Sequence, residues 1–146
     1  MSGGTRSMLI ALLFPPLLLA AREPAPHKEA IAIPMRDGAR LAADLFLPPG
    51  YSKEKSPERL PVILITTPYD RTRENAAGYW RECFLRNGYA FVAQDMRGMH
   101  GSAAAGRGTS RHGDGYDPVE WIAGQPWCNG KVGMIEIGRA SCRERV

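Results

Sequence analysis

Cysteine is scarce in this sequence: Cys83, Cys128 and Cys142 are the only three among 146 residues. Their spacing matches neither a zinc-binding pattern nor a C-x-x-C redox motif. Cys83 and Cys128 could bridge in an oxidising compartment or stand as separate thiols, and the sequence leaves both readings open. Charge of one sign is not concentrated either. The formal charge is +4, but three arginines fall in the segment 136–146 and Arg6 lies near the start. The excess left elsewhere is small and scattered. It forms no basic stripe of the kind that tracks phosphates, which argues against a nucleic-acid partner. No apolar run is long enough to span a bilayer stably. The longest, "MLIALLFPPLLLAA" from Met8 to Ala21, is short and broken by Pro15-Pro16. The glycine-rich stretch "GSAAAGRG", Gly101 to Gly108, lacks the lysine of a phosphate-binding loop, and Gly108 stands where Ser or Thr would hold magnesium. No G-x-G-x-x-G follows a strand pattern, so no dinucleotide site is implied. There is no internal repeat.

The chain that remains is about one domain in length, and its 44% apolar content suits a packed core rather than disorder. Residues 1–21 read as a signal peptide: Arg6, an apolar core, then the small residues Ala20 and Ala21. A secreted or periplasmic location is the expectation. Residues 22–29 read as a solvated linker, 30–135 as the folded part, and 136–146 as a tail with no apolar period.

Within 30–135 the pattern alternates. "EAIAIPMRDGARLAADLFLPPG" predicts a β-hairpin turning at Asp37-Gly38, with Ile31, Ile33, Leu41, Ala43, Leu45 and Leu47 on one face. "PVILITT", "YAFVAQD" and "KVGMI" are β-branched or continuous apolar runs expected to be buried strands. "NAAGYWRECFLRNGY" predicts a helix capped by Asn75 and ended by Asn87-Gly88, with Ala76, Tyr79, Trp80, Cys83 and Phe84 facing the core. "DPVEWIAGQ" predicts a second helix with Asp117 as N-cap, Pro118 first in the helix and Glu120 three residues after the cap. Residues 97–115 between them read as a long glycine-rich loop. Strands alternating with helices predict an α/β fold, a doubly wound and mostly parallel sheet with the hairpin as antiparallel edge.

Ligands of such sheets bind beyond the carboxyl ends of the strands. "TPYDR" follows one strand there, which makes Tyr69 a candidate. A phenol ordinarily keeps its proton near neutral pH and can donate to a developing oxyanion. A plain packing role in the loop is the alternative. Asp95 and Arg97, in the "QDMRG" that ends the next strand, are expected to form a local ion pair. His27, His100 and His112 read as solvated side chains, with no acidic residue at metal-ligand spacing.

Together "TPYDR", "GYAFVAQDMRG", "GDGYD" and "WIAGQPWCNGKVGM" resemble the α/β-hydrolases related to cocaine esterase, α-amino acid ester hydrolases and X-Pro dipeptidyl-peptidases. The resemblance covers roughly Glu29 to Ile135, and "PWCNGKVGM" is its most specific part. It implies the N-terminal part of a serine hydrolase that cleaves ester, amide or short peptide bonds through an acyl-enzyme, with Tyr69 as an oxyanion-hole donor and no cofactor or metal. It also implies a G-x-S-x-G nucleophile elbow directly after Ile135. Here the residues are Glu136, Ile137 and Gly138, so Gly138 occupies the nucleophile's expected position. The family's catalytic Asp and His follow the Ser in chain order, and no histidine follows His112. The segment "EIGRASCRERV", Glu136 to Val146, matches one reading frame of a common sequencing-library adapter. It is therefore expected to be non-native, and the chain as it stands to be inactive. The competing expectation is a non-catalytic α/β binding module that has lost the elbow.

Overall fold

The computed structural model describes residues 25–73, 76–106 and 113–136. The leader, the Asn75 cap, His112, Gly138, Cys142 and nearly all of the 136–146 tail lie outside the described residues.

Strands β1 (His27–Pro34) and β2 (Arg40–Leu47) form the expected hairpin, in register from His27 opposite Leu47 to Pro34 opposite Arg40. Its turn works as Asp37-Gly38 suggested. Gly38 takes a φ of +85°, and the Asp37 carboxylate accepts the Ala39 N–H at 3.1 Å. The other strands are β3 (Leu60–Thr67), β4 (Ala90–Asp95) and β5 (Cys128–Glu136). They assemble in the order β1-β2-β4-β3-β5. The pairs β1/β2 and β2/β4 are antiparallel, while β4/β3 and β3/β5 are parallel. The described sheet is thus mixed, with the hairpin joined to a parallel part.

The two helices lie on opposite faces of this sheet. Helix α1 (Ala76–Arg86) brings Leu85 and Phe84 against Phe46, Ile63, Ile65, Phe91 and Ala93. Helix α2 (Gly113–Ala123) brings Ile122, Val119 and Trp121 against the alternate residues, among them Leu41, Leu45, Val62, Leu64 and Val92. Side chains alternate along a strand, so β3 feeds both cores from one run of apolar residues. Leu64, Ile65 and Phe91 are fully buried, worth about 1.5–3 kcal/mol each. Exposed ion pairs contribute about 0–1 kcal/mol each, so the two cores dominate the stability. β2 departs from the one-sided expectation: Asp44 and Phe46 are buried as well as Leu41, Ala43 and Leu45, because the α1 side is covered too.

Three local expectations are corrected. Tyr79, Trp80 and Cys83 of α1 do not face the core; Tyr79 is 73% exposed. The helix is rotated so that Leu85 meets the sheet and the Arg81 guanidinium lies 4.7 Å from the centre of the Phe46 ring, a cation–π contact. Its C-terminus ends as predicted at Asn87-Gly88, in a Schellman arrangement. The Tyr89 N–H donates to the Phe84 carbonyl at 3.0 Å, Gly88 to Leu85 at 3.2 Å, and Gly88 has φ +79°. Asp117 does not cap α2, which begins at Gly113; Pro118 lies inside it. The Asp117 carboxylate is taken instead by Arg36, whose backbone N–H and Nε donate to it at 3.0 and 2.7 Å. The 97–115 segment is not all loop: His100–Ala105 form a 3-10 turn and Gly113 opens α2. Cys83 and Cys128 are separate free thiols, and burial pushes the Cys128 thiol up.

The bond to Arg36 holds the Asp117 carboxyl below the usual carboxylate range, and bonds from Ala39 and Thr72 do the same for Asp37 and Asp70. A depressed folded-state value means stability that is complete above the unfolded carboxylate pKa, about 4. That stability is lost as pH falls through the folded values. The urea midpoint is expected to be flat from pH 5 to 7, by that reference value, and to fall below about 4. Asp117→Asn should flatten part of that fall. An acid limb unchanged by the substitution would contradict the Arg36 assignment.

Candidate functional site

From β3 the chain reaches β4 through α1 on one face. It then returns across β3 to β5 through α2 on the other face. The reversal makes the carboxyl ends of β3 and β5 a topological switch point, the place where open α/β sheets bind ligands. The register is tight: Ile65 pairs with Ile135 and Thr66 with Glu136. Neighbouring strands lie about 4.8 Å apart, so the carboxyl ends of β3 and β5 lie side by side.

The loop after β3 carries Tyr69. Thr67, the last residue of β3, is buried, and its hydroxyl closes a small ring: it accepts the Tyr69 N–H at 3.0 Å and donates to the Tyr69 carbonyl at 3.1 Å. Tyr69 itself is 58% exposed at this end of the sheet. His100 Nε2 lies 3.0 Å from the Pro68 carbonyl. A carbonyl only accepts, so this nitrogen must carry the proton. His100 is therefore not the freely solvated side chain that the sequence suggested; it straps the glycine-rich segment to the Tyr69 loop.

The far side of the loop is pinned from below. The Arg71 N–H donates to Asp95 Oδ1 at 2.8 Å, and its Nη1 to Asp95 Oδ2 at 2.5 Å. The Gly101 N–H donates to the same Oδ2 at 3.0 Å. Arg71 Nε also faces Asp44 Oδ1 at 3.3 Å, and Lys28 reaches Asp44 Oδ2 at 3.0 Å. Asp95 and Asp44 are both buried. Burial pulls the Arg71 guanidinium toward neutrality, but Asp95 and Asp44 outweigh it and raise its pKa. Ser102 joins the structure to β2: its hydroxyl donates to the Asp95 carbonyl at 3.1 Å and accepts the Ala42 N–H at 2.9 Å. A Cβ at Gly101 would overlap Arg71 Nη1 and press on Ala42 and Asp95, so a side chain there would displace Arg71 from Asp95.

The expected ion pair between Asp95 and Arg97 is not formed. The chain turns at Met96–Met99, closed by the Met99 N–H on the Met96 carbonyl at 3.1 Å. That turn sends Arg97 away toward Asp114, at 2.9 Å from its Nε, and toward Asp37, at 3.0 Å from its Nη1. Both bonds raise the Arg97 pKa, with Asp114 the larger cause. The partner of Asp95 is Arg71. The sequence carried a signal for it, since "DR" follows one buried strand and "QD" ends the next. The pairing of Thr67 with Asp95 across β3 and β4 brings them together.

Gly138, at the expected nucleophile position, lies outside the described residues, as does His112. Among the described residues no group of His, Cys, Asp and Glu could hold a metal ion. No described helix is long and apolar enough to cross a membrane.

Residues 37–137 match the family model described as X-Pro dipeptidyl-peptidase (S15 family). The chain is 37% identical over 112 residues to cocaine esterase of Rhodococcus sp. (strain MB1 Bresler), covering 73% of this chain and 18% of that protein. Among solved structures it is similar to an α-amino acid ester hydrolase, with a TM-score of 0.60 and 30% identity over 89% of this chain and 24% of the other. An aminopeptidase from a marine sediment archaeon, Thaumarchaeota archaeon, shares the fold at a TM-score of 0.61 and 24% identity, over 88% and 23% of the two chains. The chain spans about a fifth of the length of the curated relatives it matches.

Proposed function

Because the chain belongs to the X-Pro dipeptidyl-peptidase (S15) family, we propose that it forms the N-terminal part of a serine hydrolase domain that cleaves ester, amide or short peptide bonds through an acyl-enzyme. The observation that carries this reading is the parallel pairing of β3 with β5, which sets the carboxyl ends of the two strands side by side. In the reaction a serine just after β5 attacks the substrate carbonyl. A histidine takes its proton, and an aspartate orients the histidine. The Tyr69 phenol and a backbone N–H after the serine hold the developing oxyanion. Serine, histidine and aspartate would belong to the native continuation after Ile135, with Glu136–Val146 foreign to it. That continuation would also extend the sheet into the doubly wound, mostly parallel form. No cofactor or metal takes part. Reading the gene beyond the codon for Ile135 tests this: a G-x-S-x-G elbow is the expected result. An in-frame native tail without it would support a non-catalytic binding module.

The domain would act outside the cytoplasm, secreted or periplasmic. Support comes from Arg6, the apolar run Met8–Ala21 and its small-residue end at Ala20-Ala21. N-terminal sequencing of the protein expressed in a bacterial host is expected to find a new terminus near Ala21. An intact Met1 on cytosolic material would contradict export.

A further inference from the structure

We infer that Asp95 is a positioning residue for the Tyr69 phenol, acting through Arg71; this rests on the oxyanion role proposed above. Tyr69 is 58% exposed, so its ring has little packing to hold it. The place of its hydroxyl is then set by the backbone of residues 67–71. Thr67 fixes the start of that backbone through both backbone polar groups of Tyr69. Arg71 fixes its end, and both its backbone N–H and its side chain land on Asp95. Asp95 is fully buried at the end of β4, opposite the residue where the loop leaves β3. A charge-assisted, two-point bond to a buried carboxylate is short and direction-specific. The Gly101 N–H on the same carboxylate and Asp44 beside Arg71 Nε leave the pair little freedom to reorient. His100 on the Pro68 carbonyl steadies the loop from the solvent side. Asp95 touches no substrate in this arrangement; it decides where the phenol stands.

A network that only held the fold together would lower stability and the active fraction without regard to Tyr69. The two roles separate in a double-mutant cycle on the full-length protein that carries this segment. Arg71→Lys keeps the charge but loses the planar fork; Tyr69→Phe removes the phenol's donor. For each variant and the pair, kcat and KM are measured on a small ester, per active site titrated with a serine-directed inhibitor. Arg71→Lys is expected to lower kcat roughly 10- to 100-fold with KM little changed, since small misplacements at a reacting centre are costly. In the Tyr69→Phe background the same substitution should cost less than about twofold. An equal loss in both backgrounds overturns the inference, as does a loss that disappears on normalising to active sites. If Arg71→Lys yields no folded protein, Asp95→Asn is read in the same cycle; it keeps the shape and one acceptor for the Arg71 N–H. Should Tyr69→Phe alone leave kcat unchanged, the oxyanion role falls, and this inference with it. A loss with Tyr69→Phe but none with Arg71→Lys or Asp95→Asn removes only the positioning role.

Discussion

On the function proposed above, Tyr69→Phe in the full-length protein is expected to lower turnover of a simple ester by about 100- to 1000-fold, the effect of removing one oxyanion donor, or about 2.7–4 kcal/mol of transition-state stabilisation. The substitution deletes one oxygen from a ring that is mostly exposed and makes no core contact. The backbone bonds that shape the loop run through Thr67 and the main chain of Tyr69, and none depends on the phenol. Stability should therefore be unaltered, within about 0.5 kcal/mol. A donor aimed at charge that develops only in the transition state changes kcat more than KM. The kinetic pattern is thus a fall in kcat with KM roughly held. A normal kcat with the fold intact would remove Tyr69 from the oxyanion hole.

The largest loss of stability is expected at Asp95→Ala. Asp95 accepts from the Arg71 N–H, from Arg71 Nη1 and from the Gly101 N–H, and it is fully buried. Removing the carboxylate leaves the half-buried Arg71 with Asp44 alone and orphans two backbone donors. Breaking a buried pair by deleting one partner costs about 3–5 kcal/mol, because the remaining charge stays desolvated. A surface pair such as that between Arg73 and Asp70 should contribute about 0–1 kcal/mol when cut. Urea denaturation of the full-length protein separates these cases. A change under about 1 kcal/mol at Asp95→Ala would mean that the network is solvated and holds nothing.

The strands and the hairpin were legible because their signals are local. "PVILITT" and "YAFVAQD" are buried on both faces, and Asp37-Gly38 makes the turn its residue types favour. The ending of α1 at Asn87-Gly88 was legible for the same reason. The faces of α1 were not. Its Tyr79 and Trp80 are as apolar as the Phe84 and Leu85 that it packs on the sheet, and only the sheet decides between them. The start of α2 was misplaced because Asp-Pro is a strong local capping signal. Arg36, 81 residues away, took the carboxylate. The same distance effect hid the core of the site. Tyr69 could be singled out from its place after a strand. The bond between Arg71 and Asp95 spans 24 residues and depends on β3 and β4 pairing in parallel register. Nothing in the spacing of "QDMRG" showed that Arg97 would turn away to Asp114 and Asp37.

The proposed role of this segment as the oxyanion side of a serine hydrolase is tested most directly by covalent labelling. The product of the intact gene is treated with a fluorophosphonate, digested, and the modified peptide located by mass spectrometry. The label is expected on a single serine in the peptide that continues β5 directly after Ile135, with labelling abolished by prior denaturation. Labelling confined to a serine elsewhere in the protein, or no labelling of folded material that still hydrolyses an ester, would contradict the placement of the nucleophile beside the Tyr69 loop.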